Sequence, residues 1–157
     1  MAGVIASLPR VLEGVDLVEV LIVDDGSSDG TAEVAREAGA DHLVRFPHHR
    51  GLSVAFQTGL REAIRLGADV IVNTDADGQY DPSSIPDLIR PILDGHADIV
   101  IGDRRPHENE EFSFVKRRLQ RIGTRVAALA GARGARDATS GFRAYTREAA
   151  LDLIVIN

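Results

Sequence analysis

Two aspartates with one residue between them follow a short apolar run near the middle of the chain. The run, residues 70–74, is rich in β-branched side chains, and a turn that contains Gly78 and Pro82 comes after it. This pattern predicts a buried strand with a loop at its carboxyl end. Because side chains at positions i and i+2 of an extended chain point to the same side, Asp75 and Asp77 can face one point. Two carboxylates held that close repel each other, so we expect a cation between them.

Polar residues also follow two other predicted strands. Residues 18–23 lead into Asp24, Asp25, Gly26 and Ser27, and residues 98–102 lead into Asp103, Arg104 and Arg105. In open α/β sheets, ligands bind beyond the carboxyl ends of the strands. We therefore expect the three loops to converge on one binding site.

The elements that must position these loops alternate between strand and helix along the chain. Helices are predicted over residues 2–13, 31–38, 52–66, 85–93, 114–129 and 146–153, and strands over residues 18–23, 42–46, 70–74 and 98–102, with 154–156 as a further candidate strand. Residues 139–145 are expected to be irregular or extended. This alternation predicts an α/β fold in which helices flank a mostly parallel sheet. Neither a repeat nor a linker interrupts it, so we expect a single domain over residues 1–157.

The composition is that of a soluble globular protein, with 44% hydrophobic and 27% charged residues. The chain has no cysteine, which excludes disulfides and thiolate metal sites. No apolar run approaches the roughly 20 residues that cross a bilayer, and the amino-terminal residues do not resemble a signal peptide. We therefore expect a cytoplasmic protein, with peripheral attachment to the cytoplasmic face of a membrane as an option.

The net charge of −6 argues against general nucleic-acid binding, which depends on neutralising phosphates. Positive charge is nevertheless concentrated in one segment, residues 104–136. Its basic residues are Arg104, Arg105, Lys116, Arg117, Arg118, Arg121, Arg125, Arg133 and Arg136. This asymmetry indicates either a local anion site on an acidic body or a solvated basic helix face.

The sequence argues against several well-known binding sites, because residues that those sites require are missing or misplaced. The chain lacks the glycine fingerprint of dinucleotide-binding folds and the glycines and lysine of a P-loop. A calcium loop starting at Asp75 would need glycine at its sixth position and glutamate at its twelfth, where Tyr80 and Pro86 stand. A phosphorelay receiver would use Asp75 as phosphoacceptor and a lysine from a late strand. The only lysine, Lys116, falls in a predicted helix, which argues against a receiver.

Four segments resemble, in the same order, the motifs of family 2 glycosyltransferases, which have the GT-A fold. Residues 23–31 are similar to V-D-D-G-S-x-D-G-T, residues 75–82 to the D-x-D metal motif, residues 100–104 to V-x-G-S-R with Asp103 in place of serine, and residues 137–145 to D-x-x-S-G-F-R-x-Y. The D-A-D-x-Q form of the second segment resembles the dolichol-phosphate mannose synthase-like branch, whose acceptors are polyprenyl phosphates.

The resemblance implies a metal site at the second segment. Mg²⁺ or Mn²⁺ would bind Asp75, Asp77 and the carbonyl of Gln79, with Asp77 counted among the catalytic residues. Such a cation stabilises negative charge on a departing diphosphate. The alternative is a solvated turn that one of the two aspartates caps.

The resemblance also implies a donor site and an acceptor site. Asp24, Asp25 and Ser27 would bind the base or ribose of the nucleotide, although one of the two aspartates can instead organise its loop through backbone N–H groups. Three further site residues are implied. Arg104 would bind a phosphate and is counted among the catalytic residues. Asp137 would act in catalysis by orienting the acceptor or by holding Arg143, which is the third.

The implied reaction is metal-dependent, inverting transfer of a sugar from a GDP- or UDP-sugar to a polyprenyl phosphate at the membrane surface. The basic segment after Phe112 and Phe114 would lie near the lipid headgroups. The alternative is a truncated or non-catalytic GT-A module that binds nucleotide or a partner without turnover.

The family's first strand, which precedes its first helix, has no counterpart here, because Met1 already falls at the start of the first predicted helix. We therefore expect an incomplete domain with a gap between the strands that end near Asp24 and Asp75. Residues 153–156 or a partner chain would fill that gap, and a homo-oligomer is one way to supply the partner.

Overall fold

The computed structural model describes residues 1–102 and 141–155 of the chain. In this part, helices flank strands, which confirms the predicted α/β architecture. The helices are α1 (Ala2–Ser7), α2 (Thr31–Glu37), α3 (Leu52–Arg65), α4 (Ile85–Leu93) and α5 (Arg147–Val155), and the strands are β1 (Leu21–Asp24), β2 (His42–Arg45), β3 (Val70–Asn73), β4 (Ile99–Ile101) and β5 (Arg143–Thr146). The predicted helix 114–129 and two predicted site residues, Arg104 and Asp137, lie outside the described residues.

The described strands form two sheets. Strands β1 and β2 pair in parallel, with Asp24 opposite Arg45. Strand β5 lies between β3 and β4 and is antiparallel to both, so β3 and β4 run in the same direction. The described strands thus form one parallel pair and one three-stranded sheet whose central strand, β5, is antiparallel to both of its neighbours, a position that the sequence did not indicate.

Strands β1 and β3 belong to different sheets, and α3 connects them. The Cα of Gly59 in α3 faces β1 closely, since a Cβ added there would lie 3.4 Å from Val23 Cγ2. One turn of the same helix carries Leu60, which packs with Ile71 of β3 and Tyr145 of β5. Leu8 also packs against two clusters of buried side chains. One contains Ile5, Val20 and Ala35, and the other contains the buried residues of α4. The cleft between β1 and β3 lies where the sequence predicts a gap.

The first helix is shorter than predicted, because it ends at Ser7 rather than at residue 13. Proline disfavours the α conformation at the residue that precedes it, and Leu8, which precedes Pro9, is extended with φ −65° and ψ 134°. Beyond that point Leu8 and Leu12 pack against the core without a helix, whereas Val11 is 89% exposed.

The candidate strand at residues 154–156 is wrong for the two positions that the structure describes, because α5 continues through Val155. Tertiary packing outweighs the strand preference of the β-branched residues. Ala150, Leu153 and Ile154 have helical spacing and pack on the Leu60 cluster. Residues 153–155 therefore do not fill the cleft as a strand.

The apolar core of the described residues is built mainly from α3, α4 and the central strand β5. Tyr145 of β5 is fully buried, and α4 contributes four buried aliphatic side chains, Ile85, Leu88, Ile89 and Ile92. Apolar burial of this kind is the main stabilising term in folding. No helix in residues 1–102 or 141–155 combines the length and the hydropathy of a membrane-crossing helix.

If Leu60, which is 2% exposed, holds α3 against the sheet of β3 and β5, then Leu60→Ala will be costly. Removing a buried leucine side chain lowers the free energy of unfolding by about 2–5 kcal/mol. Leu52→Ala in the same helix, where the side chain is 79% exposed, serves as the matched control and will stay within about 0.5 kcal/mol of the wild type. Urea denaturation of both variants measures the difference, and equal losses would contradict the role given to α3.

Candidate functional site

A cleft of about 780 Å³ lies between β1 and β3, which is within the range of small-molecule sites. Predicted site residues from distant parts of the chain line it together: Asp24, Asp25, Ser27, Asp75 and Arg143. Asp77 and Gln79 are exposed on the loop that follows β3 and do not line the cleft. The expected convergence of strand ends therefore holds for β1 and β3, and the third predicted loop lies outside the described residues.

Asp24 is a buried carboxylate at the carboxyl end of β1, with only 2% of the residue exposed. Its Oδ1 accepts a hydrogen bond of 2.9 Å from the backbone N–H of Ser27. The parallel register places Arg45 beside it, with Nε 3.3 Å from Oδ2. This contact is an ion pair without hydrogen-bond geometry, and Oδ2 has no hydrogen-bond partner among the described residues. Since buried polar atoms are normally hydrogen-bonded, this oxygen, which is shielded from solvent and paired in charge with Arg45, keeps an unused acceptor position.

Asp25 holds the loop between β2 and α3. Its carboxylate accepts hydrogen bonds from the backbone N–H groups of Arg50, at 2.7 Å, and Gly51, at 2.9 Å. The Nδ1 atom of His49 lies 2.8 Å from Oδ2. Hydrogen bonds from Arg50 above all, with further contributions from Gly51 and His49, lower the pKa of the Asp25 carboxyl below its ordinary value of 3.8. Both aspartates thus organise a loop, whereas the sequence led us to expect this of one.

Gly26 allows the two loops to meet. Its φ of +81° is in the left-handed region, and a Cβ added there would lie 2.4 Å from the carbonyl carbon of His48. Only glycine tolerates both the conformation and the contact without a backbone shift. The approach brings the loop after β1 against the loop after β2, which is how Asp25 reaches Arg50.

Asp75 and Asp77 are exposed at the end of β3. Asp77 Oδ1 accepts a 3.0 Å hydrogen bond from the backbone N–H of Gln79, which is the capping role that the sequence left open for one of the pair. Within residues 1–102 and 141–155, no arginine, lysine or histidine forms an ion pair with either carboxylate. Negative charge that is not paired with a basic side chain of the described residues fits a divalent cation with oxygen ligands.

The described residues contain no group of three or more histidine, aspartate or glutamate side chains arranged to enclose a metal. A cation at Asp75 and Asp77 would therefore need ligands beyond the carboxylates and imidazoles of the described residues, such as the carbonyl of Gln79, a substrate or water. Mg²⁺ commonly binds in this way, through one or two carboxylates and the phosphates of its substrate.

Arg143 begins β5 and lies opposite Asn73 of β3. Its half-buried side chain lines the cleft, as does Tyr145 two residues further along the strand. Burial raises the pKa of the Tyr145 hydroxyl above its ordinary value of 10.0, and Arg143 opposes part of that rise. Strand β5 therefore holds the predicted site residue Arg143 beside the carboxyl end of β3.

Some residues that shape the site escaped the sequence analysis. Arg45 contacts Asp24 through the strand register, which a pattern does not specify, and it also donates to the carbonyl of Ser27 at 3.0 Å. His49 is exposed, yet it contacts Asp25. The D-D-G pattern of residues 24–26 was the available signal, since paired carboxylates at a strand end commonly bind backbone N–H groups.

This fold and site define an α/β domain that collects acidic strand ends around a cleft, an arrangement suited to phosphorylated ligands and cations. The sequence model described as "Glycosyl transferase family 2" matches residues 3–154. The chain belongs to this family, as the four motifs predict.

Two curated relatives illustrate the similarity. The chain is 36% identical over 147 residues to a polyprenol monophosphomannose synthase of Mycolicibacterium smegmatis, covering 88% of this chain and 55% of the relative. It is 34% identical over 155 residues to a dolichyl-phosphate hexose transferase of Haloferax volcanii, covering 98% of this chain and 63% of the relative. The chain thus spans 55% of the length of the first protein and 63% of the length of the second.

Among solved structures, glucosyl-3-phosphoglycerate synthase from Mycobacterium tuberculosis is similar to this chain. The crystal structure with Mn²⁺, UDP-glucose and glycerol 3-phosphate aligns with a TM-score of 0.68 and 25% identity. The alignment covers 94% of this chain and 52% of that one. GT-A glycosyltransferases are therefore its structural neighbours, as the sequence predicts.

The depressed pKa of Asp25 makes the stability of the domain depend on pH. Its folded-state pKa is lower than its unfolded-state value, so its contribution is present above about pH 4 and is lost as the pH falls through the folded-state pKa. In Asp25→Asn this contribution is absent at every pH. The urea midpoint of the wild type will therefore fall more between about pH 6 and pH 3 than that of Asp25→Asn. Parallel pH profiles for the two proteins would show that Asp25 does not anchor the loop.

Proposed function

We propose that this domain transfers a sugar, with inversion, from a nucleotide-diphosphate sugar to a polyprenyl phosphate. The observation that carries the proposal is the cleft in which Asp24, Asp25, Ser27, Asp75 and Arg143 meet. In this proposal the cleft offers acceptors to a nucleoside, a carboxylate to a cation and a guanidinium to a phosphate. The names of the two curated relatives, which refer to polyprenol and dolichyl phosphate, support the choice of acceptor.

The nucleoside binds on the β1 side of the cleft. The buried Oδ2 of Asp24 accepts a hydrogen bond from the base or the ribose, because it lacks a hydrogen-bond partner in the described protein. Asp25 keeps the adjacent loop in place through its bonds to Arg50 and Gly51, and Ser27 borders the same wall. The base, guanine or uracil, is not distinguished by these contacts.

The diphosphate lies on the β3 side, where Asp75 and Asp77, with the carbonyl of Gln79, hold Mg²⁺ or Mn²⁺. When bound, this cation stabilises the negative charge that develops on the departing diphosphate. The protein's part is to keep the carboxylates at one loop and to supply Arg143, and Arg104 by the family resemblance, as donors to phosphate oxygens.

The reaction is a single displacement at the anomeric carbon. The bond from this carbon to the diphosphate oxygen breaks while a bond to an oxygen of the acceptor phosphate forms on the opposite face, which inverts the configuration. The acceptor phosphate is already an anion, so no strong base is needed. Asp137 then serves to orient the acceptor or to hold Arg143, rather than to remove a proton.

We further propose that the whole protein acts at the cytoplasmic membrane surface, where a polyprenyl phosphate presents its headgroup. The basic segment of residues 104–136 provides the positive charge that such a surface attracts. One domain comprising residues 1–157 carries the donor site in this proposal.

The second candidate is a module that binds nucleotide without turnover. It is favoured by one observation, the open cleft between two sheets whose facing strands β1 and β3 do not pair in the described structure. Binding and turnover are therefore tested separately.

The donor site predicts nucleotide binding that depends on the metal. With Mn²⁺, saturating UDP or GDP will raise the melting temperature by roughly 5–10 °C at a hundredfold excess over Kd. Asp75→Ala and Asp77→Ala will abolish the Mn²⁺-dependent part of this shift, because each removes a ligand of the cation. Differential scanning fluorimetry with and without Mn²⁺ measures it.

Asp87→Ala is the matched control, since Asp87 is an exposed carboxylate on α4 whose side chain is 88% accessible. This variant will keep the full shift. A wild type that shows no shift with either nucleotide refutes the donor site. A normal shift without release of UDP or GDP from the corresponding mannose or glucose donors, when polyprenyl phosphate is added, favours the module without turnover.

A further inference from the structure

Residue 141 is bound by side chains from both ends of the acidic loop. The Nδ2 of Asn73, two residues before Asp75, donates a 2.7 Å hydrogen bond to the carbonyl of Gly141. The hydroxyl of Tyr80, three residues after Asp77, accepts a 2.9 Å hydrogen bond from the N–H of Gly141. Both backbone polar groups of one residue are thus used by side chains that flank the two carboxylates.

The space beside Gly141 is occupied by the carboxylate of Asp75. A Cβ added to Gly141 would lie 2.6 Å from Asp75 Oδ2 and 3.3 Å from Oδ1. The backbone of Gly141 is not in the left-handed region, so glycine is not required there by conformation. What glycine provides at this position is room for the carboxylate against the start of β5.

Tyr80 itself is fixed by packing. It is 8% exposed, and its ring stacks on that of Phe142 with a centroid separation of 5.0 Å. Phe142 in turn accepts a 2.8 Å hydrogen bond at its carbonyl from the N–H of Gly102, at the end of β4. The position of the tyrosine hydroxyl is therefore set by the buried core and not by the exposed loop.

From this geometry we infer that Gly141 and Tyr80 are positioning residues for the Asp75 carboxylate. The inference rests on the proposed function only in giving that carboxylate a cation to bind. Gly141 leaves the space for the Asp75 carboxylate. The hydrogen bonds from Asn73 and to Tyr80 hold the backbone of Gly141 next to the loop that carries Asp75. Outer contacts of this kind orient metal-binding carboxylates, and their loss typically costs ten- to hundredfold in metal affinity.

Gly141→Ala tests the space beside the carboxylate. The new methyl group meets the end of an exposed side chain, so the fold tolerates it while Asp75 is displaced. We expect Mn²⁺ affinity in the presence of UDP or GDP to fall roughly tenfold or more, with metal-free nucleotide affinity and melting temperature close to the wild type. Gly3→Ala, where nothing lies within 4 Å of the added Cβ, is the matched control.

Tyr80→Phe tests the anchor, because it keeps the ring that packs on Phe142 and removes the hydroxyl that accepts from Gly141. The amide hydrogen of Gly141 will exchange with solvent roughly tenfold faster or more, and Mn²⁺ affinity will fall. Nuclear magnetic resonance of ¹⁵N-labelled protein measures the exchange without any ligand.

The carboxyl ¹³C resonance of Asp75, assigned by its disappearance in Asp75→Asn, separates this inference from the proposed function. It will shift in Gly141→Ala and not in Gly3→Ala, whether or not the protein binds a metal. An unshifted resonance, or wild-type Mn²⁺ affinity in Gly141→Ala, overturns the positioning role. Equal losses of metal-free nucleotide binding and of melting temperature overturn it as well, since they indicate general damage. Failure of the wild type to bind Mn²⁺ and nucleotide instead refutes the donor site.

Discussion

The site depends on helix packing, because β1 and β3, the strands on either side of the cleft, do not pair with each other in the described structure. Strand β1 pairs with β2, and β3 pairs with β5, so no hydrogen-bond ladder joins the two halves of the cleft. Gly59 and Leu60 of α3 face β1 and β3 respectively, and this helix sets their separation. Apolar contacts are less directional than ladder hydrogen bonds. The distance across the cleft is therefore set by the packing of α3 side chains against the two strands.

The carboxylates at the strand ends serve the fold and the ligand at once. Asp24 uses one oxygen for the N–H of Ser27, Asp25 uses both for the loop before α3, and Asp77 uses one for the N–H of Gln79. A carboxylate has about four acceptor positions, so these bonds order the loops without exhausting the oxygens. The loops thereby hold their acidic side chains in place before any cation arrives, which reduces the ordering cost of binding.

Sequence patterns predicted the elements and the chemistry better than the arrangement in space. Helix α4 was predicted with its observed bounds, because its apolar positions and Pro86 in the first turn agree. The family motifs indicated Asp24, Asp25, Ser27, Asp75 and Arg143, which the structure brings to one cleft. The predicted first helix was too long, because the apolar spacing was given more weight than Pro9. Residues 154–155 were predicted to be a strand because their packing against α3 is a tertiary contact that a local pattern does not contain. Neither the insertion of β5 between β3 and β4 nor the contact of Arg45 with Asp24 follows from local pattern, since register is a long-range property.

The division between the sheets has a consequence for any ligand that fills the cleft. Asp24 and Ser27 belong to the half built on β1, whereas Asp75 belongs to the half built on β3 and β5. A ligand that contacts both halves adds polar links where the described protein has only the packing of helices. Because such a ligand binds the folded arrangement and not the unfolded chain, its binding free energy adds to the stability of the domain. A ligand confined to one wall would leave the separation of the sheets to the packing of α3 and Leu8, so the span of the ligand decides how much rigidity the site gains.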